Sequence, residues 1–175
     1  MKNLMKNPIV ALLLMVFVVT VVSCNPKPKK NNTLNHELKE QQYGFDNPPK
    51  FRKDGELRFF EPETKSPVAT FDIEIVSNDV DRSMGLMYRK AMEKNQAMLF
   101  IFEYEDIQSF WMRNTLISLD MVFVNRDRQI VTIHKNTPTL SDQSFPSTSP
   151  AMFVVELNAG TCDSLGINEG YYIDF

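Results

Sequence analysis

Residues 110–124 read Phe-Trp-Met-Arg-Asn-Thr-Leu-Ile-Ser-Leu-Asp-Met-Val-Phe-Val, and this stretch decides the fold. It holds the only tryptophan of the chain, Trp111, and it places Arg113, Asn114 and Asp120 inside an otherwise apolar run. Burying polar groups costs free energy unless each finds a partner. The stretch therefore predicts two core strands with a polar constellation in or beside the hydrophobic core.

Strand patterns continue on both sides of this stretch. Residues 68–76 alternate apolar and polar side chains, whereas residues 97–102 are continuously apolar, as in a strand buried on both faces. Asn78 is a predicted helix cap, and the helix that it opens is expected to end near Arg89. The remaining predicted elements are an opening strand or hairpin at residues 51–60, strands at 108–112, 119–124, 129–134, 151–157 and 171–175, a loop at 136–150 and one helical turn at 161–165.

These elements predict one mainly β domain, a β-rich α+β fold, over residues 51–175. No regular alternation of strands and helices is present, which disfavours a doubly wound parallel sheet. The expected architecture is a small antiparallel sandwich or a partly open barrel with one helix packed on it.

The N-terminal segment predicts export. Residues 1–23 combine early lysines with an apolar run of signal-peptide length, and Val22-Ser23-Cys24 resembles a bacterial lipobox. That resemblance implies lipid attachment at Cys24 and cleavage before it; a cleaved soluble signal and an uncleaved anchor are the alternatives. Residues 24–50 are a predicted flexible tether. The expected location is the bacterial cell envelope, lipid-anchored in the membrane and facing the periplasm.

Four pieces of the sequence together resemble the domain of unknown function 192 family. They are residues 82–89, 97–102, 110–120 and 155–160, and the resemblance extends over residues 65–175. It implies a compact mainly β domain that is frequently exported in bacteria and has no established activity. Ala97, Ser118 and Tyr171 stand where the family pattern has glycine, proline and aspartate.

Arg113, Asn114 and Asp120 are the first candidates for a binding site. An arginine can hold a carboxylate or phosphate through two parallel hydrogen bonds, and an aspartate in apolar surroundings can act as an acid or base. The alternative is that Arg113 pairs with Asp120 or with Glu156 and only organises the core.

Arg89 and Glu156 form a second candidate set, with Trp111 as the apolar wall of a shared pocket. The alternative assigns Arg89 to the end of the helix and Glu156 to a salt bridge at a strand end.

No metal or cofactor is predicted. The methionines between Met84 and Met152 suit monovalent copper in principle, but their spacing is typical of core packing. Cys162 has no neighbouring base in the sequence that would make it a nucleophile.

Three functions are compatible with these residues. The preferred one is a membrane-anchored domain that binds a small molecule or an envelope protein. The alternatives are an envelope enzyme with Asp120 or Glu156 as general acid or base, and a structural or assembly factor. The net charge of −3 gives no reason to expect a nucleic-acid partner.

Overall fold

The computed structural model describes Gly44 and residues 46–175. The predicted signal peptide, the lipidation site at Cys24 and most of the predicted tether lie outside the described residues. Within the described residues, no helix is both long enough and apolar enough to cross a membrane.

Nine strands and two short helices make up the described domain. The strands are β1 (Gly55–Phe60), β2 (Pro67–Val76), β3 (Gln96–Asp106), β4 (Ser109–Phe110), β5 (Leu119–Val124), β6 (Ile130–Thr137), β7 (Phe145–Pro146), β8 (Ala151–Asn158) and β9 (Tyr172–Asp174). The helices are α1 (Asp79–Met84), between β2 and β3, and α2 (Thr161–Leu165), between β8 and β9.

Seven of these strands form one sheet in the order β6-β5-β8-β3-β2-β1-β9, and β4 pairs separately with β7. The large sheet curls until its two edges approach each other. The backbone of Ile130 donates to Tyr171 at 2.8 Å, that of Gly170 donates to Ile130 at 2.9 Å, and that of Ile173 donates to Arg128 at 2.9 Å. The predicted mainly β fold with a partly open barrel is confirmed.

The sheet is antiparallel except for one pair. β2 and β3 run parallel, which the expected antiparallel architecture did not include. Residues 77–95, including α1, form the long connection that two parallel strands require. This connection crosses the outer face of the sheet and supplies one wall of the site described below.

Apolar clusters cover both faces of the sheet. Leu99 belongs to the inner cluster, inside the curl, whereas Met98 and Phe100 belong to the outer cluster. This alternation confirms that β3 is buried on both faces. The outer cluster lies under the segments that contain α1, β4 and β7.

The helix that begins after Asn78 is shorter than predicted. The Asn78 side chain accepts from the Asp81 N–H at 2.9 Å, so the predicted cap is present. The helix ends at Met84 because Gly85 has a φ of +46°, which side-chain-bearing residues rarely adopt. A Cβ at Gly85 would also lie only 3.3 Å from the ring of Phe100. The predicted continuation to Arg89 is therefore wrong.

Other differences are local. The strand predicted at residues 108–112 is only the two-residue β4, and its partner β7 lies inside the segment predicted as a loop. The predicted opening strand is present as β1. The Asp54-Gly55 pair does not form a hairpin turn, because Asp54 already bonds along β2: its N–H donates to the carbonyl of Ile73 at 2.8 Å. The single helical turn closed by Gly166 is confirmed as α2.

Candidate functional site

Strand pairing places five side chains in one row across the outer face of the sheet. Glu74 pairs with Met98, and Met98 pairs with Glu156. On the other side, Glu156 pairs with Met121, and Met121 pairs with His134. Directly paired residues point to the same face of a sheet. Glu156 therefore lies at the centre of this row, between two methionines.

A groove of about 600 Å³ lies above the centre of the row. α1 and the residues after it form one wall, and the segments around β4 and residues 142–144 form the other. The lining residues that carry the argument are Arg82, Phe100, Phe110, Trp111, Asp142 and Glu156. The groove has the size and the apolar lining of small-molecule sites.

Glu156 is the unusual member of this lining. Its side chain is only 4% exposed, and it has no hydrogen bond or ion pair to any described residue. Burial raises the pKa of Glu156 to about 8, although the nearby Arg89 guanidinium opposes the rise. The side chain is consequently a neutral carboxylic acid near pH 7, and it can both donate and accept a hydrogen bond.

Arg89 forms a buried ion pair on the other side of Met98. Its guanidinium lies 2.9 Å from the carboxylate of Glu74, and both side chains are more than nine-tenths buried. The Glu74 carboxylate also accepts the Arg52 N–H at 3.2 Å, whereas the Nε of Arg89 has no partner among the described residues. Arg89 is not at the end of the helix, so that interpretation is wrong. It holds Glu74 and contributes positive potential at Glu156.

Trp111 and Arg113 lie together at the mouth of the groove. Trp111 is 47% exposed, and the Arg113 guanidinium lies 4.2 Å from the centre of its ring. The Nε of Arg113 donates to the carboxylate of Asp142 at 2.7 Å. The interpretation in which Arg113 pairs with Asp120 or Glu156 is therefore wrong. Arg113 instead fixes the exposed ring of Trp111 on the wall that contains Asp142.

Asn114 shapes the wall of the groove. It adopts a left-handed backbone with a φ of +56°, as does Tyr88 with a φ of +66°. The carbonyl of Asn114 accepts the Tyr88 N–H at 2.9 Å, and the Asn114 side-chain amide donates to the Tyr88 hydroxyl at 3.0 Å. Asn114 therefore connects the segment after β4 to the segment after α1, and these are the two walls.

Asp120 lies on the opposite face of the sheet from Glu156. It is fully buried, and its carboxylate accepts the backbone N–H groups of Asn136 at 2.9 Å, Gly160 at 3.2 Å and Cys162 at 2.9 Å. Two of these donors belong to the first turn of α2, which has no side-chain cap of its own. Asp120 thus takes the place of a helix cap and joins β6 to α2.

Cys162 is a buried free thiol at the same place. Burial raises its pKa to about 12, and the charge of Asp120 adds to the rise. A thiol that stays protonated is a poor nucleophile and a poor metal ligand. Among the described residues, no group of three histidine, cysteine, aspartate or glutamate side chains could hold a metal ion.

Arg82 is a groove residue that was not among the sequence candidates. It donates to the carbonyls of Ser77 and Ile101, pairs with Asp79, and lies 4.9 Å from the ring centre of Phe102. Arg82 thereby fixes α1 above the end of β3. Its position at the start of the first family-like segment, residues 82–89, was the signal that could have identified it.

The fold and the groove define a small mainly β domain with a half-barrel sheet and an apolar groove on its outer face. Residues 61–175 match the family DUF192, described as Uncharacterized ACR, and the chain belongs to this family. A comparison with curated proteins finds no match.

Two solved structures are similar to this chain. A protein from Sinorhizobium meliloti 1021, named as a candidate transcription regulator, is 34% identical over 68% of this chain and 91% of its own, with a TM-score of 0.65. A protein of unknown function from Novosphingobium aromaticivorans DSM 12444 is 28% identical over 73% of this chain and 92% of its own, with a TM-score of 0.66.

Replacing Glu156 with glutamine is expected to change how stability depends on pH. The pKa of Glu156 is raised in the folded protein, so the folded state binds a proton that the unfolded state releases above about pH 4.5. Wild-type stability therefore falls as the pH rises from about 4.5 to about 8, and the loss is complete above that range. Glutamine cannot ionise, so the variant should be more stable than wild type at about pH 9, by up to about 5 kcal/mol.

Thermal denaturation of both proteins between about pH 4 and pH 9 measures this difference. The replacement Glu103→Gln provides a matched control, because Glu103 is an exposed residue of β3. Parallel pH curves for wild type and Glu156→Gln would contradict a neutral, buried Glu156.

Proposed function

We propose that the protein is a lipid-anchored binding domain of the bacterial cell envelope, which holds a small molecule in the groove between Trp111 and Glu156. The observation that carries the proposal is the buried Glu156 side chain, which lines the groove and has no hydrogen-bond partner among the described residues. The Glu156 carboxyl oxygens are not among the fully buried atoms that lack a partner, so they remain accessible from the groove. A bound molecule can therefore hydrogen-bond to Glu156 directly.

The shape of the groove supports binding. Its apolar surface comes from side chains held in place on separate elements. Phe100 on β3 and Phe110 on β4 are in edge-to-face contact, with 4.9 Å between their ring centres. Trp111 at the mouth remains half exposed although Arg113 covers one side of it. A preformed apolar pocket with few polar groups is the usual form of a small-molecule site.

The positions of the carboxylates give less support to an enzyme. A general acid and base must both reach the same substrate. Asp120 accepts three backbone N–H groups on the inner face, whereas Glu156 faces the groove on the outer face. The two do not share a cleft. The regulatory role suggested by the name of the S. meliloti protein also lacks support here, because a net charge of −3 does not attract nucleic acid.

Binding can be tested through the fluorescence of Trp111, the only tryptophan. Titrating the full-length protein with hexan-1-ol, a small neutral amphipath, is expected to shift the emission of Trp111 until the groove is saturated. Replacing Ser83 with phenylalanine puts a large ring on the groove wall and should weaken the saturable response about tenfold or more, because the ring competes for the same space.

The replacement Ser164→Phe is the matched control. Ser83 and Ser164 are both exposed serines in short helices, and each hydroxyl donates to a backbone carbonyl of its own helix, at 2.7 and 3.0 Å. Only Ser83 lines the groove. A non-saturable response in wild type, or an equal response in both variants, would count against a binding groove.

The membrane anchor is tested by replacing Cys24 with serine in the producing bacterium. Without the thiol, no lipid can be attached, and we expect the protein to lose both the incorporation of a labelled fatty acid and its lipid-dependent recovery with membranes. Replacing Cys162, which is buried in the domain, with alanine should leave the labelling unchanged. Labelling that persists in Cys24→Ser would refute the anchor.

A further inference from the structure

The charged side chains at the mouth of the groove already have partners of opposite charge. Asp79 pairs with Arg82 on α1, and Asp142 pairs with Arg113 at 2.7 Å across the opposite wall. The mouth therefore presents two neutral ion pairs. Neither a cation nor an anion finds an uncompensated opposite charge there.

The floor of the groove is neutral for a similar reason. Beneath it, Arg89 is held by Glu74 at 2.9 Å, and Glu156 stands alone on the side that faces the groove. The other titratable groups around Glu156 belong to different elements: Asp79, Asp81 and Arg82 on α1, Asp142 on the opposite wall, and His134 at the end of the row beyond Met121. Each arginine in this neighbourhood has a carboxylate partner.

We propose that the groove binds uncharged small molecules that have an apolar body and a carboxamide at the inner end, and that this carboxamide pairs with Glu156. The proposal rests on the proposed function. We infer this class of ligand from the hydrogen-bond donors and acceptors that Glu156 offers. A protonated carboxyl group offers one O–H donor and one carbonyl acceptor side by side, and a carboxamide offers the complementary N–H and carbonyl. The two can form a ring of two parallel hydrogen bonds.

The surroundings of Glu156 disfavour charged ligands at the same position. An ammonium group would have to lose its water shell beside the Arg89 guanidinium, and a carboxylate would have to do so in an apolar floor formed by residues such as Leu86 and Phe100. A carboxamide has no charge to desolvate. Its apolar body would lie against Phe110 and Trp111, towards the mouth.

Three probes of equal chain length test the proposal: hexanamide, hexylammonium and hexanoate. Titrated into the full-length protein at about pH 6.5, they share six carbon atoms and differ in the charge and hydrogen bonding of the head group. Hexanamide is expected to bind about tenfold more tightly than either charged probe, as read from the emission of Trp111. Tighter binding of hexylammonium or hexanoate would overturn the proposal.

The pH dependence locates the contact at Glu156. Binding of hexanamide to the wild type should weaken about tenfold between about pH 6.5 and pH 9.5, because an ionised Glu156 no longer donates. Glu156→Gln keeps a donor and an acceptor, so its affinity for hexanamide should not change with pH. The wild type should bind hexanamide more tightly than hexan-1-ol, and Glu156→Leu should lose this preference. A preference that persists in this variant would contradict the assignment.

These results separate the two proposals. If hexan-1-ol saturates the groove but the amide has no advantage, the binding groove stands and the ligand class is wrong. If none of the four probes changes the emission of Trp111, both proposals fail together.

Discussion

Replacing Asp120 with alanine is expected to lower the free energy of unfolding by about 4 kcal/mol, because three backbone N–H groups lose their acceptor at once. These donors belong to Asn136, Gly160 and Cys162, and the Cys162 N–H lies in a fully buried environment. The carboxylate itself is fully buried. Urea denaturation at pH 7 measures the loss directly.

Two further variants define the cause of the Asp120 effect. Asp120→Asn keeps one oxygen but presents an amide N–H to one of the donors, so it should lose about half as much stability as alanine. Asp163→Ala is the control on α2, because the exposed ion pair of Asp163 with Lys135 should contribute no more than about 1 kcal/mol. An Asp120→Ala protein as stable as Asp163→Ala would show that the inner carboxylate does not hold α2.

Replacing Arg89 with leucine is expected to cost about 3–5 kcal/mol, because the buried carboxylate of Glu74 is left without its counter-charge. The Arg89 side chain is only 5% exposed, so water cannot take its place. The pKa of Glu156 should rise further in this variant, since the guanidinium that opposes the effect of burial is gone. Denaturation at pH 7 measures the first effect, and NMR titration of Glu156 measures the second.

The double variant Arg89→Leu, Glu74→Gln removes both charges of this pair. Glutamine still accepts the Arg52 N–H, which bonds to the Glu74 carboxylate at 3.2 Å in the wild type, so most of the lost stability should return. Arg58→Leu breaks an ion pair whose side chains are about half exposed and should cost no more than about 1 kcal/mol. A double variant as unstable as Arg89→Leu alone would show that packing, rather than charge, explains the loss.

The strands were the most predictable part of this domain. The hydrophobic pattern alone decides which faces of a strand are buried. Strands therefore form where the sequence has a continuous apolar run, as at residues 119–124, or an alternating run, as at residues 68–76. The parallel pairing of β2 with β3 could not be read in this way. It depends on how residues 77–95 cross the sheet, and local periodicity does not record that path.

The candidate site was predicted only in outline. Trp111 and Glu156 do line one groove, but Arg113 pairs with Asp142, a residue in the segment that the sequence predicted only as a loop. Asp120 looked like a member of the same group because it lies near Arg113 in sequence. Along β5, Asp120 points to the inner face, whereas Met121 points to the outer face with Glu156, because neighbouring residues of a strand point to opposite sides.

The contact between β9 and β1 has a consequence for when the domain can complete its folding. Arg58 at the start of the domain pairs with Asp174, one residue before the end of the chain. The seam between the sheet edges, at Gln129 and Tyr172, also needs the last few residues. A chain that emerges progressively from a ribosome cannot close this sheet until β9 is free. Until then the strand edges at this seam stay unpaired, and unpaired strand edges favour aggregation.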